Sequence, residues 1–318
     1  MNPHLSYQLL TLRSKFLFTL RKFFTEREFL EIDTPKLKPV PGMEPYLTPF
    51  SVGEPSGLEK GYLVTSPEYS LKQALSQGLS KIYEIAQVYR SGERGNLHTA
   101  EFLMLEFYIA GIDERALMDV CTELFVFLDR EFLGIGFDPS KIIKRSILEL
   151  FGQLGITDSR EDLISYLCKV KGSSEDYEKM AYDELFFLVF LNEIEPSLEK
   201  GLTYIYDYPP PLASLARVEE GRARRFEIYW NGVEIGNAFF ECTSFDIMKE
   251  RFKSEQDIRK SLSKEVFPLD HNFMNALERG VPESSGIAIG LDRLFMIYLG
   301  HKDLSYLSPY YNILKTHG

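Results

Sequence analysis

Apolar residues recur at helical spacing from Tyr7 to Phe29, at Leu9, Leu12, Phe16, Leu20, Phe23 and Phe24, with Arg and Lys between them. That period predicts an amphipathic helix with one face on a core, and "IDTPKL" then stops the helix at Pro35 and starts an extended segment. Residues 38–60 carry Pro39, Pro41, Pro45, Pro49 and Pro55, which predicts a long loop without regular structure, of the kind that covers sites. "KIYEIAQVYR" (81–90) and "EFLMLEFYIA" (101–110) are rich in β-branched and aromatic residues and flank the polar "SGERGNLHTA". They predict an antiparallel hairpin with a long loop. Residues 114–200 show charged and apolar residues at helical spacing, with breaks near Gly134, Gly152 and Gly172, and predict a mostly helical insertion. Strands resume with "TYIYDY" (203–208), "RFEIYW" (225–230) and "VEIGNAFFE" (233–241), the last two joined by Asn231-Gly232, a type I′ hairpin signal. Helical stretches at 245–262 and 270–279 lead to "GIAIGLDRLFMIYLG" (286–300), a glycine-spaced strand that turns into a helix. This order predicts an α+β fold, one domain over 1–318, with an antiparallel β-sheet flanked by helices.

Composition narrows the function. The chain has 318 residues, 44% hydrophobic and 14% aromatic, which supports a large core and excludes a disordered chain. With 36 basic and 47 acidic side chains the net charge is −11, so no overall positive field gathers a phosphate backbone, and nucleic acid is disfavoured as a partner. Cys121, Cys168 and Cys242 form no CxxC pair and are expected to be reduced and buried. The N-terminus lacks a basic region followed by an apolar run, and "LFFLVFL" (185–191) is too short to span a bilayer. A soluble, cytoplasmic protein without a membrane partner is expected.

Several carboxylates fall where strand geometry gathers them. If Asn231 and Gly232 form a two-residue loop, Trp230 pairs with Val233, Tyr229 with Glu234, and Glu227 with Gly236. Glu227 and Glu234 are then diagonal neighbours about 7–8 Å apart on one face, a spacing that lets two carboxylate arms converge on a hard cation such as Mg²⁺. Asn237, Phe239 and Glu241 share a face of the opposite parity. For both sets to face one site a bulge must lie between them, and Gly236 is the place for it. In the first hairpin Phe102, Met104, Glu106 and Tyr108 share a mostly apolar face, where a glutamate needs a partner. Arg90 ends one strand, and Arg94 and His98 lie in the loop beyond it; arginine suits phosphate because its planar fork engages two oxygens. Glu68 sits at a strand-to-helix junction in "TSPEYSLKQAL" (65–75), and Arg293 stands near a helix start, where the dipole does not favour it.

Together these segments resemble the class II aminoacyl-tRNA synthetases over nearly the whole chain. "RKFFTEREFLEIDTPKL" is similar to their first motif, which builds a dimer interface. "YRSGERGNLHTAEFLMLEFY" resembles the second motif and "GIAIGLDRLFM" the third, with Arg293 as its arginine. The amino-acid pocket is similar to the lysyl type: "TSPEY", "EFLMLEFY" and "EIGNAFFE" place Ser66, Glu68, Glu106, Tyr108, Asn237, Phe239 and Glu241 around the substrate. A dicationic substrate and Mg²⁺ at Glu227 and Glu234 would offset the mutual repulsion of the glutamates. Lysyl-tRNA synthetases carry an anticodon-binding OB-fold ahead of the catalytic domain, and here the first motif begins too early to leave room for one. The chain therefore resembles the elongation factor P–lysine ligases, which activate lysine, preferably the β-isomer, and transfer it to a lysine side chain of elongation factor P. In that family alanine replaces the middle glycine of the third motif, as Ala288 does, and a methyl on a pocket wall discriminates substrates by about 1–3 kcal/mol.

The resemblance implies roles. Arg90 holds the α-phosphate of ATP and the substrate carboxylate, Arg293 the γ-phosphate, and Mg²⁺ at Glu227 and Glu234 bridges phosphates. Phe102 and Arg293 sandwich adenine, Glu101 and His98 assist at the nucleotide, and Glu93 and Gly290 complete the ATP site. Two positions depart from the family pattern: Gly92 stands where an acid is usual, with Glu93 next to it, and Ala238 stands where glycine is usual. Elongation factor P, lysine or β-lysine, and a second copy of the chain are the expected partners, and tRNA is not. Two other readings stay open: the same chemistry on a free small molecule or tRNA, and a regulatory paralogue that binds amino acid without activating it.

Overall fold

A computed structural model describes residues 3–54, 57, 60–172, 175–198 and 200–307. In chain order its elements are α1 (Pro3–Thr25), β1 (Leu30–Glu31), β2 (Leu37–Lys38), β3 (Ser51–Gly53), β4 (Lys60–Leu63), α2 (Glu68–Leu75), β5 (Lys81–Tyr89), β6 (Glu101–Ala110) and α3 (Glu114–Glu131). There follow β7 (Ile143–Ser146), α4 (Ile147–Gln153), α5 (Arg160–Lys171), α6 (Glu175–Lys179), α7 (Tyr182–Val189), β8 (Leu202–Tyr208), β9 (Val218–Glu219), β10 (Arg222–Trp230) and β11 (Val233–Phe240). α8 (Phe245–Ser261), α9 (His271–Arg279), β12 (Ser284–Gly290) and α10 (Leu291–Tyr298) complete the order. The chain forms two compact units, one of residues 1–137 with 243–318 and one of residues 138–242. No helix among the described residues is long and apolar enough to cross a membrane.

In the first unit α1 buries Phe16, Leu20, Phe23 and Phe24 completely, each contributing roughly 1.5–3 kcal/mol by leaving water. Phe24 stacks on Tyr83 of β5 at 4.3 Å, and Phe16 packs against Phe132 and Phe295 at 5.2 Å. The helix ends ten residues earlier than Pro35. Glu28 takes a left-handed φ of 61°, the amide of Phe29 donates to the Phe24 carbonyl, and that of Glu28 to the Thr25 carbonyl. This is a Schellman stop, sealed by the Phe24–Phe29 ring contact at 5.0 Å. Beyond it β1 pairs in parallel with β5, β5 antiparallel with β6, and β6 antiparallel with β12.

The proline-rich segment 38–60 is more ordered than its composition predicts. Ser51–Gly53, free of proline, forms an edge strand in a three-stranded sheet ordered β2-β4-β3. Pro55 lies outside the described residues. A fully buried Arg259 from α8 fastens the segment, donating to the carbonyls of Glu44 (2.9 Å) and Leu47 (3.1 Å).

The second unit has β11-β10-β8 antiparallel and β7 parallel to β8, with β9 on β10. Its core gathers Ile147, Phe151, Leu163, Phe186, Val189, Ile205 and Tyr229. Asn231 and Gly232 take φ of 52° and 77°, the two positive values a type I′ turn needs. Trp230 pairs with Val233 and Tyr229 with Glu234, and the register then shifts: Ile228 faces Gly236 and Glu227 faces Asn237. The expected pairing of Glu227 with Gly236 is corrected by this bulge, which adds one residue at Ile235. The bulge stands at the place its glycine marked, and it turns Asn237 and Phe239 onto the face of Glu227, Tyr229 and Glu234. All three cysteines are free thiols; Cys121 and Cys242 are buried as expected, whereas Cys168 on α5 is only half-buried.

Candidate active site

In the first unit, strand alternation carries Phe102, Met104, Glu106 and Tyr108 on one face of β6. Glu106 and Tyr108 are each 2% exposed, and the Tyr108 hydroxyl donates to Glu106 Oε1 at 2.6 Å. Across the ladder Gly286 faces Tyr108, Ala288 faces Glu106 and Gly290 faces Met104. A side chain at Gly286 would land in the Tyr108 ring, 2.8 Å from Cζ and nearer still to Cδ1 and Cε1. The missing side chain at 286 is therefore what admits the tyrosine, while Ala288, cross-strand from Glu106, packs with Phe102 against Val64, Ala86, Val88 and Met104. Glu68 opens α2, its amide 3.4 Å from Ser66 Oγ.

The nucleotide-handling candidates lie at the other end of the same hairpin. Arg90 sits 5.2 Å from the Phe102 ring centroid. Gly92 takes φ of 86° and turns the chain so that Glu93 comes within 3.7 Å of Arg90; the acid one position later thus reaches the arginine. Arg293, from the first turn of α10, donates Nε to the Leu97 carbonyl at 3.0 Å and lies with Nη2 2.7 Å from His98 Nε2. A guanidinium only donates, so His98 Nε2 accepts and the ring is neutral. Desolvation, then the Arg293 charge, lowers the His98 pKa. Glu101 is exposed and, by alternation, lies on the opposite face of β6 from Phe102.

In the second unit the bulge brings a polar cluster together. Glu227 Oε2 accepts the hydroxyls of Tyr208 (2.6 Å) and Tyr229 (2.9 Å), and Oε1 accepts Arg225 Nη2 at 2.6 Å. The same Arg225 nitrogen reaches Asn237 Oδ1 at 2.9 Å, and its Nη1 donates to the Leu212 carbonyl at 2.8 Å. Burial, then the Glu227 charge, raises the pKa of both tyrosines, so both remain donors. Phe239 is cross-strand from Arg225, and Glu241 is buried just past the end of β11. No group of three or more His, Cys, Asp or Glu among the described residues is arranged to hold a metal ion. Mg²⁺ arriving with phosphates needs only one or two carboxylates. Glu227, with three of about four acceptor positions engaged, and the half-buried Glu234 supply hard oxygens on one face, which fits such an ion.

Sequence reasoning missed four participants. Lys72, buried one turn after Glu68, donates to Glu68 Oε1 at 2.6 Å and lies 5.9 Å from the Tyr108 ring centroid; the i, i+4 spacing was the available signal. Arg225 precedes Glu227 by the two residues that put it on the same strand face. Glu44 and Glu255 add carboxyl groups near Glu68. Burial, then the Glu68 charge, raises the Glu44 pKa, and burial with Glu44 and Glu68 pushes Glu255 up to about 8. Crowded carboxylates favour a cation among them.

The first unit thus carries Arg90 and Phe102 on a hairpin and Arg293 after a glycine-spaced strand, and the second unit carries a glutamate cluster on β10 and β11. Residues 2–312 match the family of tRNA synthetases class II (D, K and N), and the chain belongs to that family. Within it, the chain is similar over nearly its whole length to proteins named elongation factor P–(R)-beta-lysine ligase. The one from Proteus mirabilis is 34% identical over 313 residues, covering 95% of this chain and 94% of the relative. The one from Histophilus somni strain 2336 is 32% identical over 325 residues, with 95% and 94% covered. The Vibrio cholerae relative is 31% identical over 318 residues, with 97% and 96% covered.

Proposed function

We propose that this chain is an ATP-dependent ligase that activates lysine, with (R)-β-lysine preferred, and transfers it to a lysine side chain of elongation factor P. The observation that carries this reading is Ala288 set directly across the ladder from Glu106, whose carboxylate would hold a substrate ammonium. In the first step the substrate carboxylate, already ionised at neutral pH, attacks the α-phosphorus of ATP, giving an aminoacyl-adenylate and pyrophosphate. No protein nucleophile is needed, so the chain's task is alignment and charge compensation. In the first unit Arg90 and Arg293 hold phosphate oxygens, with Phe102 and Arg293 on the adenine and Glu93 and His98 orienting the two arginines. Glu68, Glu106 and Tyr108 hold the substrate's ammonium groups. In the second unit Asn237, Phe239 and Glu241 serve the amino acid, and Glu227 and Glu234 are the residues that would hold Mg²⁺, which offsets phosphate charge when bound. In the second step an uncharged acceptor amine attacks the adenylate carbonyl, forming an amide and releasing AMP.

We further propose a homodimer through α1, where Tyr7, Leu10 and Phe18 stay 73%, 44% and 68% exposed along one stripe. Such a stripe is too apolar to be left to water without use. A cytoplasmic location follows from the acceptor.

The test is transfer of labelled α-lysine and (R)-β-lysine, with ATP and Mg²⁺, to purified elongation factor P and, in parallel, to lysine tRNA. Label is expected on elongation factor P, with the β-isomer ahead. Ala288→Gly, by opening a methyl-sized space, is expected to shift the isomer ratio toward α-lysine about tenfold or more. Label on tRNA alone would overturn the acceptor, and an unchanged ratio would remove Ala288 from substrate selection.

A further inference from the structure

Asp292 is one of few carboxylates buried to 2% exposure, and its place in the fold explains why it stands there. It lies in the first turn of α10, where the helix dipole favours an acid. The β12–β6 ladder ends with Gly290 facing Met104. One residue further along β6, the amide of Leu103 has passed the end of the partner strand, and Asp292 Oδ2 accepts it at 2.8 Å. The carboxylate thus continues the ladder by one bond after the backbone has turned into a helix. Its other oxygen faces Arg13 of α1 at 2.5 Å, and the Arg13 guanidinium lies 5.3 Å from the Phe295 ring centroid of α10.

The residues on either side of this clamp matter. Leu103 follows Phe102, and Asp292 precedes Arg293. Arg293 in turn holds the loop between β5 and β6 through the Leu97 carbonyl and His98. One carboxylate therefore ties the strand of one nucleotide-handling side chain to the helix of the other. Arg13 neutralises it from a helix whose opposite stripe is exposed.

We propose that Asp292, held by Arg13, is a positioning residue that sets the separation of Phe102 and Arg293 and through it the affinity for ATP. This rests on the assignment of Phe102 and Arg293 to the nucleotide made above. Asp292 touches no reacting atom; it acts through its neighbours on both chains of the clamp. A displacement of about 1 Å in such a pair costs up to ~100-fold. The Arg13–Asp292 pair also makes α1 part of the nucleotide site's support, so that disturbing either partner has the same consequence.

The experiment is direct binding of ATP, and separately of lysine without ATP, by calorimetry on the full chain carrying Asp292→Asn, Asp292→Ala, Arg13→Ala or Arg13→Lys. Asp292→Asn keeps the shape of the side chain and guards against a variant that fails to fold. Expected are a tenfold or larger loss of ATP affinity in Asp292→Asn and Arg13→Ala and an unchanged lysine affinity. Partial recovery is expected in Arg13→Lys, and the double variant Arg13→Ala/Asp292→Asn should be no worse than the weaker single. ATP affinity unchanged in both, or ATP and lysine affinities lost together, would overturn the positioning role while leaving the ligase reading intact. A wild-type chain that binds no ATP would overturn the ligase reading, and the positioning role with it.

Discussion

Gly286→Ala is expected to lower lysine activation about 100-fold. The new Cβ would fall on the ring of Tyr108, which has nowhere to go: it is buried, its hydroxyl is committed to Glu106 at 2.6 Å, and Lys72 lies over its face. Gly286 has no unusual backbone angle, so the effect is steric rather than conformational. Overpacking of this kind costs about 1–3 kcal/mol of stability, and displacing Tyr108 with Glu106 is expected to lower lysine-dependent ATP–pyrophosphate exchange about 100-fold. The mechanism can be separated from a general fault in β12. Adding Tyr108→Ala removes the ring that the methyl meets, so Gly286→Ala/Tyr108→Ala should unfold in urea no earlier than Tyr108→Ala alone. Further destabilisation of the double variant would show that the glycine is required for another reason, and full exchange activity in Gly286→Ala would show that Tyr108 has no place in substrate binding.

Arg225→Met is expected to destabilise the second unit by about 3–5 kcal/mol, because it strands a buried glutamate without its counter-charge. The side chains of Arg225 and Glu227 are 7% and 10% exposed, so water screens the pair little. Two tyrosine hydroxyls remain on Glu227 after the substitution, but neither carries a positive charge. Asn237 loses a donor at the same time. Glu227→Gln removes the charge from the other side, so Arg225→Met/Glu227→Gln should be more stable than Arg225→Met. Urea unfolding of the three variants gives the comparison. An Arg225→Met chain within about 1 kcal/mol of wild type would mean that Glu227 is neutralised by something other than Arg225.

The two predictions differ in how visible they were along the chain. The faces of β6 and β10 follow from a period of two, so the grouping of Phe102, Met104, Glu106 and Tyr108 was legible, as was the turn at Asn231-Gly232. The bulge was legible as a requirement, because Glu234 and Asn237 have opposite parity and glycine is the residue that yields. Its consequence was not: that Glu227 faces Asn237, and that one arginine spans both, depends on which strand residue absorbs the extra step. The early end of α1 was equally hidden. Glutamate rarely takes a left-handed φ, and here the Phe24–Phe29 contact outweighs the local preference. Strands of two or three residues, such as β2 and β3, carry no period to read. They exist because β4, a short loop beyond β3 but more than twenty residues beyond β2, offers both hydrogen bonds.

What the chain alone determined are the periodic features and the chemical inventory. Strand faces, helix faces, the hairpin turn, the arginines and glutamates of the candidate site and the alanine at 288 all depend on residues within a few positions of one another. Tertiary structure alone decided the long-range partnerships of charges: Arg225 with Asn237 across the bulged hairpin, and Arg13 with Asp292. The reason is physical. A charge taken out of water must find its complement wherever the fold brings one within about 3 Å, and for Arg13 and Asp292 that complement is almost the whole chain away.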